Sequence, residues 1–296
     1  MVVILIQQLI NGLSIGSVYA LMAVGYSLIY SLLRFTNFAH AVAVTAGAYV
    51  SYYLYTVLQP NLIVGLIASL LGGTITSVLI EIVVYRNMLR RKNSKKLYLM
   101  IAGWGLATVA ENLIIIFISS ISKFYPTALT QMGSMQIGRT SVGKVDVLIL
   151  ILSVVTMAGV QAYISFTRNG LAIRGASHNL QYAQLMGIDS DTLLIKVFAI
   201  AGMMAGIAGL FMGIKYTAYP TLGSVMTNKA FISAVLGGLG SLPGAIVGAF
   251  LLGIIEVMVA GYISSALRDM ISYGILIVVL IVLPRGLMGK AEGDKA

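Results

Sequence analysis

Residues 168–191 read RNGLAIRGASHNLQYAQLMGIDSD and form a polar island between two hydrophobic blocks. Charge marks both ends, with Arg168 at one and Asp189 and Asp191 at the other. The middle has helical spacing. Ala176, Leu180, Ala183 and Gly187 recur at intervals of four, three and four residues, which is one helical face. Ser177, Gln181 and Gln184 lie on the other side. Gly187 followed by Ile188 predicts a left-handed helix stop of the Schellman kind. Asp189, Ser190 and Asp191 offer N-caps to the next apolar helix. A short helix on a membrane surface, approached through Arg168 and Arg174, suits the docking of a soluble partner. The same pattern also fits an ordinary amphipathic loop helix.

Composition sets the solvent around the island. The chain has 296 residues, 59% hydrophobic and 9% charged, where soluble domains carry about 25% charged residues. This is the composition of a polytopic membrane protein, whose outer solvent is lipid. Cysteine is absent, which excludes disulfides, thiol chemistry and cysteine metal sites. His40 and His178 are the only histidines, and no HExxH spacing occurs, so no metal site is expected. No GxxxxGK[ST] loop is present; Gly143-Lys144 lacks the following hydroxyl. No bound cofactor, ATP included, is expected on this chain. The net charge of +10 sits mostly at the ends of apolar segments, which fits membrane orientation rather than nucleic acid. The opening MVVILIQQLI has no basic stretch before its apolar run and reads as a retained span, not a signal peptide.

Apolar segments fall near 4–33, 38–58, 62–85, 97–120, 145–166, 192–217, 229–242, 244–263 and 270–284. A full crossing needs about 20 residues, so 229–242 and 270–284 are short, and the former is broken by Gly237, Gly238, Gly240 and Pro243. The expectation is an all-α polytopic transmembrane bundle of eight or nine crossings with short broken helices, in one domain over 1–296. With the basic loop 86–96 inside, nine crossings leave only Lys123, Arg139, Lys144, Lys215, Lys229 and Arg268 outside. The other Lys and Arg residues, Lys92, Lys290 and Lys295 among them, then lie inside. That bias places 168–191 in the cytoplasm, the N-terminus outside and the C-terminus inside. It also suggests an inverted-topology repeat, with halves 1–120 and 192–290 linked by 145–191. Asn37-Phe38-Ala39-His40 would then correspond loosely to Asn228-Lys229-Ala230-Phe231.

Small residues recur every four positions: Gly12, Gly16, Ala20; Ala201, Ala205, Gly209, Gly213; and Gly240, Gly244, Gly248. Such ladders let helix backbones approach closely in lipid, and packing within the subunit is the expected use. Three carboxylates fall in apolar segments, where insertion scales charge about 2.5–3.5 kcal/mol for the related Asp. Glu81 has Arg86 nearby for an interfacial salt bridge. Glu111 and Glu256 lie deeper, either as structural hydrogen-bond acceptors or as a proton or cation relay. Asn37 and His40, with Thr36 and Thr45, offer a polar path for a neutral or zwitterionic solute, or equally a helix cap. Asn228 and Ser233 are their counterparts in the second half. Residues 119–146 form the longest outer loop, long enough to cap the path or to meet an extracytoplasmic partner.

Four stretches are specific enough to name a family: NGLSIGSVYALMAVGYSLIY (11–30), TNFAHA (36–41), RNGLAIRGASHNLQYAQLMGID (168–189) and AFISAVLGGLGSLPGAIVGAFLLGIIE (230–256). The chain resembles, over about residues 5–290, the permease subunits of branched-chain amino acid ABC transporters, the LivH/LivM type and the LivH side most. Ala41 stands where that family usually has Gly, and Gly175 where it usually has Ala, which should loosen a turn there. The resemblance implies an importer for branched-chain or related amino acids, with urea or short amides as the alternative cargo within the family. It implies a second permease subunit, of LivM type or a second copy. It also implies two cytoplasmic ATPase subunits that carry the ATP and Mg, an extracytoplasmic solute-binding protein, and lipid around the spans. Arg168–Asp191 would then be the coupling element seated in the ATPase, with Ala176, Leu180, Ala183 and Gly187 as its packed face. Outside the family, a proton-driven transporter using Glu111 and Glu256, or a channel-like subunit, are the competing classes.

Overall fold

The computed structural model describes residues 2–57, 62–91, 95–126, 133–137 and 140–289. Lys92, Arg139, Lys290 and Lys295, used above for orientation, and parts of the 119–146 loop lie outside the described residues. Each expected apolar segment is helical. The helices are α1 (Val2–Leu33), α2 (His40–Val57), α3 (Leu62–Ile80), α4 (Lys96–Phe117), α5 (Lys144–Phe166), α6 (Arg168–His178), α7 (Leu180–Leu185), α8 (Ser190–Lys215), α9 (Leu222–Gly237), α10 (Leu242–Tyr262) and α11 (Arg268–Val282). Seven helices among the described residues are long and apolar enough to cross a membrane. The short ones are α2 and α9, at 18 and 16 residues. At 15 residues α11 is short as well, and the 3₁₀ turn before it brings the apolar stretch to 18. The expected segment 229–242 is displaced. Its helix starts at Leu222, and Gly237, Gly238 and Gly240 end it rather than break it, the last two at positive φ.

A two-stranded antiparallel hairpin, Ser134–Ile137 with Thr140–Gly143, precedes α5; its short mixed-polarity strands gave no clear period. Tyr125, from the same outer loop, is wedged inward, its hydroxyl 2.7 Å from Ser51 Oγ and donating to the Ala48 carbonyl at 2.7 Å. Lys215 and Ser14 both donate to Asp146, which ties α5 to α8 and α1 at this end.

Packing is set by backbone contact. A Cβ on Gly206 of α8 would strike the Ser69 carbonyl and the Gly73 backbone of α3, and Gly47 of α2 abuts Gly206 from the other side. On the opposite flank, Gly12 and Gly16 of α1 press on Ile254, Phe250 and Gly253 of α10. Gly12 and Gly16 belong to an expected ladder. In α8 the expected rung Gly209 presses on the Val44 carbonyl of α2, and Gly202 and Gly206, between the expected rungs, are as close to α3; Gly244 and Gly248 of the third ladder meet α9, while Gly240 lies in a loop. The partnerships exchange between the two halves. α1 packs on α10 as α8 packs on α3, α2 on α3 as α9 on α10, α2 on α8 as α9 on α1, and α2 on α4 as α9 on α11.

The two short helices start inside the bundle. His40 Cε1 lies against Gly25 of α1, which itself faces Ala201 in the middle of α8. Gly223, in the first turn of α9, packs on the Ala41 carbonyl and Thr45 of α2. The glycine at this junction of α2 and α9 is thus Gly223, facing Ala41.

Charge inside the bundle is paired. Lys229 does not lie in an outer loop; it is buried in α9, 2.6 Å from Glu256 Oε1 of α10 and 2.6 Å from Asp269 Oδ1 at the start of α11. Glu256 also accepts from Ser272 Oγ at 2.5 Å and Tyr19 Oη at 2.8 Å. One network thus joins α1, α9, α10 and α11.

Two predictions follow from this packing. Gly206→Val destabilises by about 3 kcal/mol or more, because backbone on both sides cannot yield. Gly175→Ala, where open space surrounds a helix-interior glycine, stabilises by up to about 1 kcal/mol. Thermal melts of the detergent-solubilised protein test both. Lys229→Met leaves Glu256 buried without its cation and costs about 3–5 kcal/mol. Restoration of the melt in Lys229→Met/Glu256→Gln is the check that the loss is electrostatic.

Candidate docking and translocation sites

The polar island is two helices, not one. Thr167 caps α6, its Oγ1 accepting from the Gly170 N–H at 3.0 Å. Asn179 is extended and breaks the helix, and its Oδ1 accepts from the Gln181 and Tyr182 N–H groups at 2.9 and 3.2 Å to start α7. Gly187 has φ +86°, with Ile188 N–H bonded to the Ala183 carbonyl and Gly187 N–H to Gln184. This is the expected Schellman stop. Asp189 caps α8. Its carboxyl is held below the usual range, first by the Thr192 hydroxyl and then by the Asp191 N–H.

The segment is fastened to the body. Arg174 donates to the Ile164 carbonyl, and Lys196 Nζ reaches Asn169 Oδ1 at 2.8 Å. Gly170, Ile173, Ala176 and Ala183 are buried against the spans. The face expected to meet a partner is therefore split. Ala176 and Ala183 point into the protein, Leu180 is half-buried, Gly187 is open, and Arg168 leads the segment in. The break at Asn179 is the physical reason, since the four-three-four spacing spans two axes. The large apolar residues turned outward are Leu171, Tyr182, Leu185 and Met186, at 63, 67, 82 and 86% exposure. In the sequence nothing sets them apart from Ile173, Leu180 and Ile188, which the protein covers wholly or in part.

The same end of the bundle holds basic groups. Arg86 pairs with buried Glu81 through two hydrogen bonds of 3.2 and 2.7 Å. Arg90 Nη2 lies 2.5 Å from Asp191 Oδ2. Arg34 donates to the Ser177 carbonyl at 3.0 Å.

The expected path residues separate into two sets. Asn37, Thr45 and Ser233 are buried and engaged within the subunit. Asn37 Oδ1 accepts from Tyr85 Oη at 2.6 Å, Thr45 Oγ1 accepts from the Gly223 N–H at 3.1 Å, and Ser233 Oγ donates to the Lys229 carbonyl at 2.8 Å. His40 is buried, and neither ring nitrogen has a partner among the described residues. It sits beside Tyr26, with ring centroids 6.3 Å apart. Asn228 is not at a helix entry; it lies mid-helix on the partly exposed face of α9. One turn away Ser224 donates to Glu111 of α4. On the outer side of α4, Ile101, Trp104, Gly105, Thr108 and Asn112 line an open groove of about 550 Å³. Glu111 lies outside that groove, on the side of α4 that faces Ala41 and Thr45 of α2, whereas Glu256 is enclosed among α1, α9, α10 and α11. No cluster of three or more metal-ligating side chains occurs among the described residues.

Comparison with known proteins gives these features a context. A family profile described as "Branched-chain amino acid transport system / permease component" matches residues 8–280. The chain is 32% identical to the high-affinity branched-chain amino acid transport system permease protein LivH of Salmonella typhimurium, over 98% of this chain and 97% of that one. It is equally 32% identical to the corresponding permease BraD of Pseudomonas aeruginosa, again covering 98% and 97%. Among solved structures, PsaBC from Streptococcus pneumoniae in complex with Fab shares the fold, with a TM-score of 0.50 and 12% identity over 94% of this chain and 91% of that one. The chain is a multi-pass membrane protein and belongs to the branched-chain amino acid transport permease family.

Proposed function

We propose that this chain is one of two membrane-spanning subunits of an ATP-driven importer in the cytoplasmic membrane, carrying branched-chain or related amino acids. The observation that carries the reading is the segment 168–191. It buries one face against the spans and turns Tyr182, Leu185 and Met186 outward beside Arg34, Arg86 and Arg90. An amphipathic element so fixed on its own protein suits a cleft in a soluble ATPase subunit. The ATPase pair supplies ATP and Mg; this chain binds neither. An extracytoplasmic binding protein delivers the solute at the opposite end. The exchanged helix partnerships support nine passes arranged as an inverted repeat, with α5 to α7 as the link.

The solute path runs along the exposed sides of α4 and α11 and the partly exposed edge of α9, against a second permease chain of LivM type or a second copy. Thr108, Asn112, Glu111, Ser224 and Asn228 supply its polar lining. A proton-driven mechanism fits less well. Glu256 is held by Lys229, Ser272 and Tyr19, as a structural hydrogen-bond acceptor between helices would be.

Leu185→Glu and Met186→Glu detach the ATPase subunits and abolish tritiated leucine uptake, while the melting temperature of the permease stays unchanged. Co-purification and uptake in proteoliposomes measure this; intact docking in both variants rejects the assignment. Asn228→Leu keeps the ATPases attached and slows uptake about tenfold, the effect of one lost hydrogen bond to the moving solute, about 1.4 kcal/mol. Competition by unlabelled valine, urea and acetamide separates the amino acid cargo from the amide cargo.

A further inference from the structure

The docking segment and the buried start of α2 are far apart, and one chain of contacts joins them. We propose that the hydroxyl of Tyr85 is a positioning group that couples the docking segment to the start of α2, through a π-helical turn able to change register. The inference rests on 168–191 being the docking element.

The chain of contacts begins at the docking segment. Asp191 follows its Schellman stop and is gripped by Arg90 at 2.5 Å. Arg90 closes the short helical turn Arg86–Leu89, which extends α3 beyond the bundle. Between that turn and α3 lies a π-helical stretch, Glu81–Tyr85, where the Arg86 N–H bonds to the Glu81 carbonyl. A π-turn holds one residue more than an α-turn and is rare, appearing mostly as a single-turn bulge. Here a buried ion pair matches it. Glu81 and Arg86 are five residues apart, whereas an α-helix aligns side chains three or four apart. Conversion of the π-turn to α-helix rotates everything on its far side relative to α3 and pulls this pair apart. The two registers are discrete states, as a transmitting element requires.

Tyr85 is the last residue of the π-turn. Its ring is held between Phe35 and Phe198, with centroids 5.4 and 5.7 Å away. Its hydroxyl donates to Asn37 Oδ1 at 2.6 Å and lies beside the Ala39 amide, where α2 begins. Gly103 of α4 covers this spot, and a Cβ there would meet the Tyr85 hydroxyl and the Ala39 nitrogen. A register shift in the π-turn therefore withdraws the hydroxyl from the entry of α2 and from Gly103 of α4. The connection between α1 and α2 is fastened to the docking segment as well. Arg34 takes φ +53° and reaches the Ser177 carbonyl, a left-handed backbone that a non-glycine residue seldom adopts. Both ends of the stretch leading into α2 thus respond to movement of the docking segment.

The test uses Tyr85→Phe in the complete transporter, with its ATPases, second permease and binding protein, reconstituted in liposomes. The readout is tritiated leucine moved per ATP hydrolysed. Tyr85→Phe is expected to retain the ATPases and the melting temperature and to lower that ratio about fivefold or more. Asn37→Ala lowers it as much, and the double variant no further. An unchanged ratio overturns the proposal, as does a parallel fall of uptake and hydrolysis, which is what a merely structural hydroxyl produces. If Tyr85→Phe does not assemble, Asn37→Ala alone carries the same two outcomes. Met186→Glu in the same assay separates this inference from the docking reading. Docking that survives Met186→Glu rejects both, whereas docking lost in Met186→Glu with an unchanged ratio in Tyr85→Phe rejects only the π-turn.

Discussion

At Gly206 three helices meet with no side chain between them. Its backbone touches Ser69 and Gly73 of α3 on one side and Gly47 of α2 on the other. Lipid gives helices no hydrophobic reason to associate, so close backbone approach and the dispersion contacts it allows must hold them. The same solution serves α1 and α10 at Gly12, Gly16 and Gly253. The result is a stiff inner frame of α1, α2, α3, α8, α9 and α10. Around it α4, α5 and α11 stay largely exposed.

That frame determines where polar chemistry sits. Helices that touch leave no room for water, so each buried charge needs a partner within reach. Lys229 and Glu256 lie where α9 and α10 face α1 and α11, and the network extends to exposed Asp269 on α11. Glu81 and Arg86 lie where α3 leaves the frame. Glu111 reaches Ser224 where α4 leans on α9. The paired charges thus mark the joints between the stiff interior and the helices around it. His40 differs. It is enclosed beside Tyr26, and neither of its ring nitrogens has a hydrogen-bond partner among the described residues.

How much of this was legible follows from which physical signal each feature leaves. Apolar runs, the Schellman stop at Gly187 and the cap at Asp189 are local, and the chain spells them out in order. The start of α9 at Leu222 was missed because Thr221, Ser224 and Asn228 dilute its hydrophobicity; its supporting contact, Gly223 on Thr45, comes from a helix far away in sequence. Gly202 and Gly206 were passed over for Ala201 and Ala205 because every small residue in α8 fits some four-residue ladder. Only the position of α3 decides which rung bears the load. The helical face read across residues 176–187 was split for a similar reason. Periodicity reveals that a helix has two faces, but which one the rest of the protein covers depends on the spans behind it.

The break at Asn179 has a consequence for how force passes through this end. A single straight helix, held at both ends, transmits a push mainly along its axis. Two short helices joined at a capped corner can be fastened separately, and here they are. α6 is held by Arg174, Asn169 and the Arg34 contact at Ser177, while the chain leaving α7 is held at Asp191 by Arg90. Each clamp leads to a different element, one to the entry of α2 and one to the end of α3. Tilting the corner therefore moves those two elements by different amounts. They meet just ahead of α2, where the Tyr85 hydroxyl donates to Asn37. A differential displacement at that point is what a discrete change in helical register absorbs, and the π-turn at Glu81–Tyr85 lies on the stretch where it must be absorbed.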